Sequence, residues 1–246
     1  MRRRTIAFLA LAAFGLSGGA HGIGTDTRQI HTIYDIYLGG LWIAEMKVDA
    51  DIGPEEYRAA AALQTKGLVE MVYKASFEAE AEGTVKSEGL ATSLFVADSR
   101  SKKKNQYVEM RYRNGRPDNL RAVPEFDPKP WQIDPRQQTN TADPLSAAVG
   151  SLVLPPGAPL CNKRVDVFDG RKRYAVVMEE PEEVDGLVRC KAIYKRIGGY
   201  KPKHMAQPDY PLTLWFEPTE DGGFRIQKAV GRTPIGVAVI RQRKET

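Results

Sequence analysis

Apolar and polar residues alternate with a period of two along most of the chain. In the longest run, residues 71–82, Met71, Tyr73 and Phe77 share one face with alanines, while lysine, serine and glutamates dominate the other. Because successive side chains of a strand point to opposite faces, the pattern predicts a strand with one buried face. Similar alternation at 108–112 and 188–195 predicts two more strands, the second with Cys190 pointing inward.

Further strands are predicted at residues 29–37, 41–50, 57–65, 90–98, 173–179, 212–217, 224–230 and 235–241. Four dipeptides favour tight hairpin turns between antiparallel neighbours: Asn114-Gly115, Asp169-Gly170, Asp185-Gly186 and Asp221-Gly222. Roughly a dozen short-connected strands predict an all-β fold, a single antiparallel curled sheet in the form of a spiral or open barrel.

One short helix is predicted within residues 143–152. Asp143 can accept hydrogen bonds from the exposed amides of the first turn, and Pro144 fits the first helical position. The helix could pack on the sheet or plug the open end of a barrel. The loop before it is rich in proline between residues 117 and 135, and we expect it to separate two halves of the sheet.

The N-terminus has the pattern of a secretory signal peptide. Three arginines at positions 2–4 precede an apolar run at 6–16 and small residues at 17–22. The run is too short for the roughly 20 residues of a spanning helix. We predict a signal peptide at 1–22 and a single β-rich domain at 23–246, exported to the periplasm, with no transmembrane segment in the mature chain.

Removing residues 1–22 changes the interpretation of charge and of cysteine chemistry. The chain carries 36 Lys and Arg against 31 Asp and Glu, a net charge of +5, which falls to +2 when the three arginines are lost. A mature protein so close to neutral shows no global preference for polyanions. In an oxidising compartment, Cys161 and Cys190 are expected to form a structural disulfide.

The candidates for catalysis and metal binding are few. His31 shares a predicted strand face with Asp35, either as an acid/base pair or simply on the wet side of the strand. Ser146 lacks a G-x-S-x-G setting, and His204 has no matching set of zinc ligands. We therefore expect no catalytic residue, no metal site and no cofactor, and the protein is not expected to be an enzyme.

A basic segment offers a candidate surface. Lys102, Lys103 and Lys104 lie in a stretch, residues 100–116, in which Glu109 is the single acidic residue. Export makes nucleic acid an unsuitable partner. The stretch is either a solvated edge that resists aggregation or a patch that attracts anionic lipid headgroups or other envelope polyanions.

The interior of the sheet also leaves two alternatives. Many inward positions carry small side chains, including Ala79 and Ala238, which would leave room for a cavity bordered by Trp42, Tyr73 and Phe77. The helix or a loop could equally fill the centre.

Several segments in succession resemble one family. They are Tyr34-x-x-Tyr37-Leu38-Gly39-Gly40-Leu41-x-x-Ala44, Asp143-Pro144-Leu145-Ser146-Ala147, the residues 167–174 hairpin, and the stretch from Leu214-Trp215-Phe216-Glu217 to Gly236-Val237-Ala238. Together they are similar to the exported bacterial family called domain of unknown function 3108. The resemblance implies a spiral or open-barrel envelope protein, similar in architecture to periplasmic carriers that shelter the lipid chains of lipoproteins. It brings no established catalytic or ligand residues.

Two functions follow as hypotheses. The first is a non-enzymatic periplasmic protein that binds an apolar or lipid-like ligand and supports cell-envelope integrity. The second is a structural or interaction module with a filled core that acts through its surface on another envelope protein.

Overall fold

The computed structural model describes residues 27–87, 89–102, 104–125, 129–151, 159–220, 223–233 and 235–244. These residues form thirteen strands: β1 (Arg28–Leu38), β2 (Leu41–Ile52), β3 (Glu56–Thr65), β4 (Ala75–Lys86), β5 (Gly89–Ser101), β6 (Asn105–Arg113), β7 (Arg116–Val123), β8 (Lys163–Phe168), β9 (Arg173–Val184), β10 (Leu187–Gly198), β11 (Asp209–Pro218), β12 (Phe224–Thr233) and β13 (Gly236–Gln242). Three short α-helices and one 3-10 helix (Pro135–Gln137) join them; the α-helices are α1 (Gly67–Val72), α2 (Pro144–Gly150) and α3 (Pro202–Met205).

All thirteen strands belong to one antiparallel sheet, as the sequence predicts. Their order is β7-β6-β5-β4-β3-β2-β1-β13-β12-β11-β10-β9-β8. Strands β1–β7 form one meander and β8–β13 a second, and the two join where β1 pairs with β13, from Tyr34 opposite Gln242 to Leu38 opposite Ala238. The later part of the proline-rich stretch, from Pro124 to Pro135, therefore lies in the connection between the two outermost strands of the sheet.

Eleven of the thirteen strands match predicted ones, and three local predictions need correction. Strand β7 occupies the first part of the stretch predicted as a proline-rich loop, with Pro117 inside it, and β8 is not among the predicted strands. The strand predicted at 71–82 begins at Ala75, because the chain forms helix α1 and Tyr73 is its C-terminal cap. Gly67 starts this helix at a φ of +61°, and a Cβ there would lie 2.9 Å from the Trp42 carbonyl oxygen. The signal peptide prediction and the Asp221-Gly222 turn lie outside the described residues.

The sequence prediction for α2 is confirmed in its capping. The Asp143 carboxylate accepts hydrogen bonds from the amides of Leu145 and Ser146, at 2.9 and 3.0 Å. It also accepts the Thr92 hydroxyl of β5 at 2.6 Å. Leu145 and Val149 are buried against the first meander. One carboxylate thus both starts the helix and ties it to the sheet.

The second meander has a separate apolar cluster around the two cysteines. Cys161 and Cys190 form the predicted disulfide, with their Cα atoms 5.7 Å apart. Both are buried beside Met178 and Phe216. The disulfide ties the segment that precedes β8 to the middle of β10.

The curled sheet closes without pairing its outermost strands, β7 and β8, within the described residues. Instead, Ala142 makes an isolated parallel bridge to Val167 on the free edge of β8. The β8–β9 turn rests on β6 and β7, where a Cβ on Gly170 would clash with Val108. Glycine is therefore required at this contact for steric reasons as well as for its φ of +90°.

Replacing both cysteines by alanine is expected to lower the free energy of unfolding by about 3.5 kcal/mol, because the disulfide restricts the unfolded chain. Urea unfolding of the oxidised protein measures the difference. Wild-type protein in reductant is the control and should match the variant. Equal midpoints with and without reductant would contradict the prediction.

A pH-dependent effect is expected at Asp143. Burial raises the pKa of this carboxyl from its ordinary 3.8. Between the pKa of the unfolded chain and the raised pKa of the folded chain, Asp143 keeps its proton only in the folded state. Its contribution to the free energy of unfolding is therefore complete below the unfolded pKa and is lost as the pH rises through the folded pKa. Asp143→Asn keeps a good helix cap but does not titrate.

The stability of the Asp143→Asn variant relative to wild type should therefore rise with pH, as measured by urea unfolding between about pH 4 and about pH 8. Asp143→Ala, which loses the cap, should lose about 1–2 kcal/mol throughout. A constant difference between wild type and Asp143→Asn across this range would refute the titration of Asp143.

Candidate functional site

The main apolar site is a cavity of about 340 Å³ between α2 and the concave face of the sheet. It is lined by Tyr34, Met46, Val48, Ala61, Phe77, Ala79, Phe95, Pro144, Leu145, Ala148, Val149, Leu214, Ile226, Ala229 and Ile240. The lining combines strands from both meanders with one face of α2. It exists because the sheet curls far enough to bring β11–β13 opposite β2–β5.

Small side chains create the space and large ones form its walls. Ala59 and Ala61 of β3 face the interior, and β4 adds Ala79, so two adjacent strands carry little bulk there. Met46 and Phe95 stand on the neighbouring strands. On α2, Leu145 and Val149 are buried while Ala148 is exposed toward the open space. The helix fills only part of the interior.

The chemistry of the lining is almost purely apolar. Among the described lining residues, the Tyr34 hydroxyl is the single polar side-chain group. Burial raises the pKa of Tyr34 to about 12, so the hydroxyl stays neutral at physiological pH. An uncharged lining suits a hydrocarbon chain or ring and disfavours an ion, whose desolvation would be uncompensated.

The three aromatic residues proposed from the sequence as cavity lining have different locations. Phe77 lines the cavity. Trp42 and Tyr73 lie outside it and are 39% and 42% exposed. Trp42 stands next to the β1–β2 turn, beyond a register shift in β1, and Tyr73 follows helix α1, which interrupts the alternation. Their side chains therefore emerge at the end of the sheet.

A polar cluster surrounds the first turn of α2, on the side away from the cavity. The hydroxyls of Ser146 and Tyr57 are hydrogen-bonded, and burial raises the pKa of Tyr57 to about 12. Within the described residues, the buried hydroxyls of Tyr112 and Thr141 have no hydrogen bond of good geometry. The partner of Ser146 is thus a neutral phenol, and this contact fixes the helix to β3.

The structure does not pair His31 with Asp35, as the acid/base hypothesis requires. His31 pairs with Asp49, directly opposite on β2, and Asp35 pairs with Arg243. His31 and Asp49 are largely exposed, and His204 lies on the exposed helix α3. In the described part of the chain, no group of three or more His, Cys, Asp or Glu side chains is placed to hold a metal ion.

The basic segment is divided between the two ends of the sheet. Lys102 and Lys104 are exposed at the β5–β6 turn, and Lys103 lies outside the described residues. Arg113 and Arg116 are at the far end of β6, about 30 Å away at the usual rise of a strand. The structure therefore separates a sequence cluster into two distant groups.

The chemistry-bearing features that sequence analysis missed are the cavity residues on α2 and the second meander. Their signal in the sequence is weak, because Ala148, Leu214 and Ala229 are ordinary apolar positions until the pairing of β1 with β13 brings them together. None of the helices in the described part of the chain has the length and apolar character that a membrane crossing requires.

One of the comparisons with known proteins identifies the family. A crystal structure of a beta-barrel-like protein of domain of unknown function DUF1849 from Brucella abortus is similar, with a TM-score of 0.47 and 11% identity, over 87% of this chain and 95% of that one. No curated protein matches the sequence. The model of the family described as protein of unknown function (DUF3108) matches residues 33–235. The chain therefore belongs to the DUF3108 family.

Proposed function

We propose that this protein binds an apolar, lipid-like ligand in the cavity between α2 and the sheet, without chemical conversion. The observation that carries the proposal is the lining, which contains one neutral hydroxyl among hydrocarbon side chains. At about 340 Å³ the cavity lies in the range of small-molecule sites, roughly 300–1,000 Å³.

The energetics of an apolar cavity support occupancy. Apolar side chains that line an unfilled space lack dispersion contacts on that side, and the exposed Ala148 leaves this space open to water. A hydrocarbon ligand restores those contacts and removes its own apolar surface from water.

The compartment belongs to the same proposal. The N-terminal pattern of arginines, an apolar run and small residues supports export, and the disulfide suits an oxidising periplasm. In the periplasm, a protein that shelters apolar chains from water would support the integrity of the cell envelope.

Ligand content is tested by purifying the protein from its own compartment and extracting it with organic solvent for lipid mass spectrometry. We expect a lipid in near-stoichiometric amount. An exported protein of similar size, purified in parallel, controls for background lipid. A clean extract, together with no binding of a fluorescent fatty-acid probe, would refute the proposal and favour a module that acts through its surface.

A substitution on α2 tests the site directly. Ala148→Phe places a ring in the cavity and should weaken fatty-acid probe binding about tenfold or more, while thermal stability is kept or raised by the filled space. Ala147→Phe is the matched control, because Ala147 lies on the same helix but lines the groove on its other side. Equal effects of the two substitutions on probe affinity would place the ligand elsewhere.

A further inference from the structure

The large apolar side chains on the surface are concentrated at one end of the sheet. This end of the sheet carries the β1–β2, β3–β4, β5–β6 and β12–β13 connections. Within the described residues, every exposed large apolar side chain lies in one of these connections or near a strand terminus at the same end. They are Leu41, Trp42, Leu68, Met71, Val72, Tyr73, Val123, Ile197, Ile235 and Val237. Random scatter of single apolar residues is normal on a surface, but segregation to one end is not.

Three neighbouring connections make most of this surface continuous. The amide of Lys66 donates to the Ile43 carbonyl at 2.9 Å, which holds the start of α1 beside the β1–β2 hairpin. The amide of Gly39 donates to the Val237 carbonyl at 2.9 Å, which holds the β12–β13 hairpin on the other side. We call the resulting surface the apolar rim; it consists of Leu41, Trp42, Leu68, Met71, Val72, Tyr73, Ile235 and Val237.

Helix α1 is the most prominent part of the apolar rim. None of its residues is buried, and Leu68, Met71 and Val72 are 73%, 80% and 79% exposed. Such a helix gains little from the core of this chain, since Val69 is its one half-buried apolar residue, and a six-residue helix is unstable alone. Its apolar side chains are positioned for contact with something outside the protein.

The charges around the apolar rim indicate what it contacts. The described hairpin connections at this end carry eight cationic residues: Lys66, Lys74, Lys102, Lys104, Arg171, Lys172, Lys201 and Lys203. Their acidic residues are Glu70 and Asp169, and the Asp169 carboxylate is occupied by the amides of Arg171 and Lys172. This end therefore has a strong excess of positive charge.

The opposite end has the reverse character. The described residues of its hairpin connections include Glu55, Asp185 and Glu220 and no lysine or arginine. The strand ends there do carry cations, of which Arg113 is paired with Asp118 and Arg164 with Asp166. The charge of the hairpin connections thus differs between the two ends of the sheet, and the exposed apolar side chains lie at the positive end.

We propose that the apolar rim docks on a lipid bilayer with anionic headgroups, with Leu68, Met71 and Val72 entering the boundary of the acyl chains. Exposed apolar side chains provide burial, surrounding lysines attract the headgroups, and Trp42 and Tyr73 have the amphipathic rings that favour this depth. A protein partner fits less well, because lysine is depleted in protein interfaces.

The docking surface is continuous with the cavity wall. Helix α1 connects β3 and β4, and these two strands carry Ala61, Phe77 and Ala79 to the cavity. A bilayer at the apolar rim would therefore lie at the end of the wall that lines the ligand site. Membrane docking does not depend on ligand binding, and each is measured separately.

The test is flotation with vesicles of phosphatidylethanolamine and phosphatidylglycerol, compared with vesicles of phosphatidylcholine. We expect wild-type protein to bind the anionic vesicles preferentially. The triple variant Leu68→Ser, Met71→Ser, Val72→Ser should bind them about tenfold or more weakly. These side chains are exposed, so the thermal midpoint should not change. The wild-type protein and the variants carry the same N-terminus, so any contribution of the apolar residues 6–16 to vesicle binding is the same in each.

A variant with fewer positive charges measures the electrostatic contribution to vesicle binding. Lys74→Gln with Lys102→Gln should weaken binding at low salt and reduce its salt dependence. The matched control is Arg58→Gln with Arg113→Gln, which removes the same charge from exposed side chains away from the apolar rim and should change little.

Three outcomes would overturn the proposal. They are failure of the wild-type protein to bind anionic vesicles, equal binding by the serine variant, and self-association of the wild type that the serine variant abolishes. The last would identify the apolar rim as an interface between two copies. If the serine variant loses vesicle binding but keeps the fatty-acid probe affinity of the wild type, docking at the apolar rim is supported independently of the ligand site.

Discussion

The antiparallel pairing of β1 with β13 is the contact on which the rest of the molecule depends. It joins the first described strand to the last and makes one thirteen-stranded sheet from two meanders. Each meander alone would expose an apolar face. Joined, they curl around a common interior in which Tyr34 and Ile240 face the same space as Leu145 of α2. Because this pairing is so distant in sequence, the chain must close a very long loop before the interior exists.

Helix α2 determines how that interior is used. It is held at its first turn by the contacts of Asp143 with Thr92 and of Ser146 with Tyr57, all on the first meander. On the opposite face of the helix, Ala148 lines the cavity. The helix is therefore both part of the core and one wall of a cavity. The filled core and the cavity, alternatives at the level of sequence, coexist in different parts of the same interior.

Local sequence signals predict most of the fold, because alternation, turn dipeptides and capping act over a few residues. Eleven of the thirteen strands, the cap at Asp143 and the disulfide between Cys161 and Cys190 follow from such signals. Strands β7 and β8 do not, because proline and charged residues weaken their alternation. Alternation fails at Tyr73, where Gly67 allows a helical turn before the strand begins. The cavity could not be predicted in the same way. Its lining depends on register across the pairing of β1 with β13 and on the curl of the sheet.

The unpaired seam between β7 and β8 has a mechanical consequence. In a closed barrel, strand number and shear fix the circumference, and widening it breaks ladder hydrogen bonds. Here the seam is held by the Ala142 bridge and by the packing of the Gly170 turn on β6 and β7. A wider sheet would lose these two contacts at the seam, and the hydrogen-bond ladders between the paired strands would stay intact.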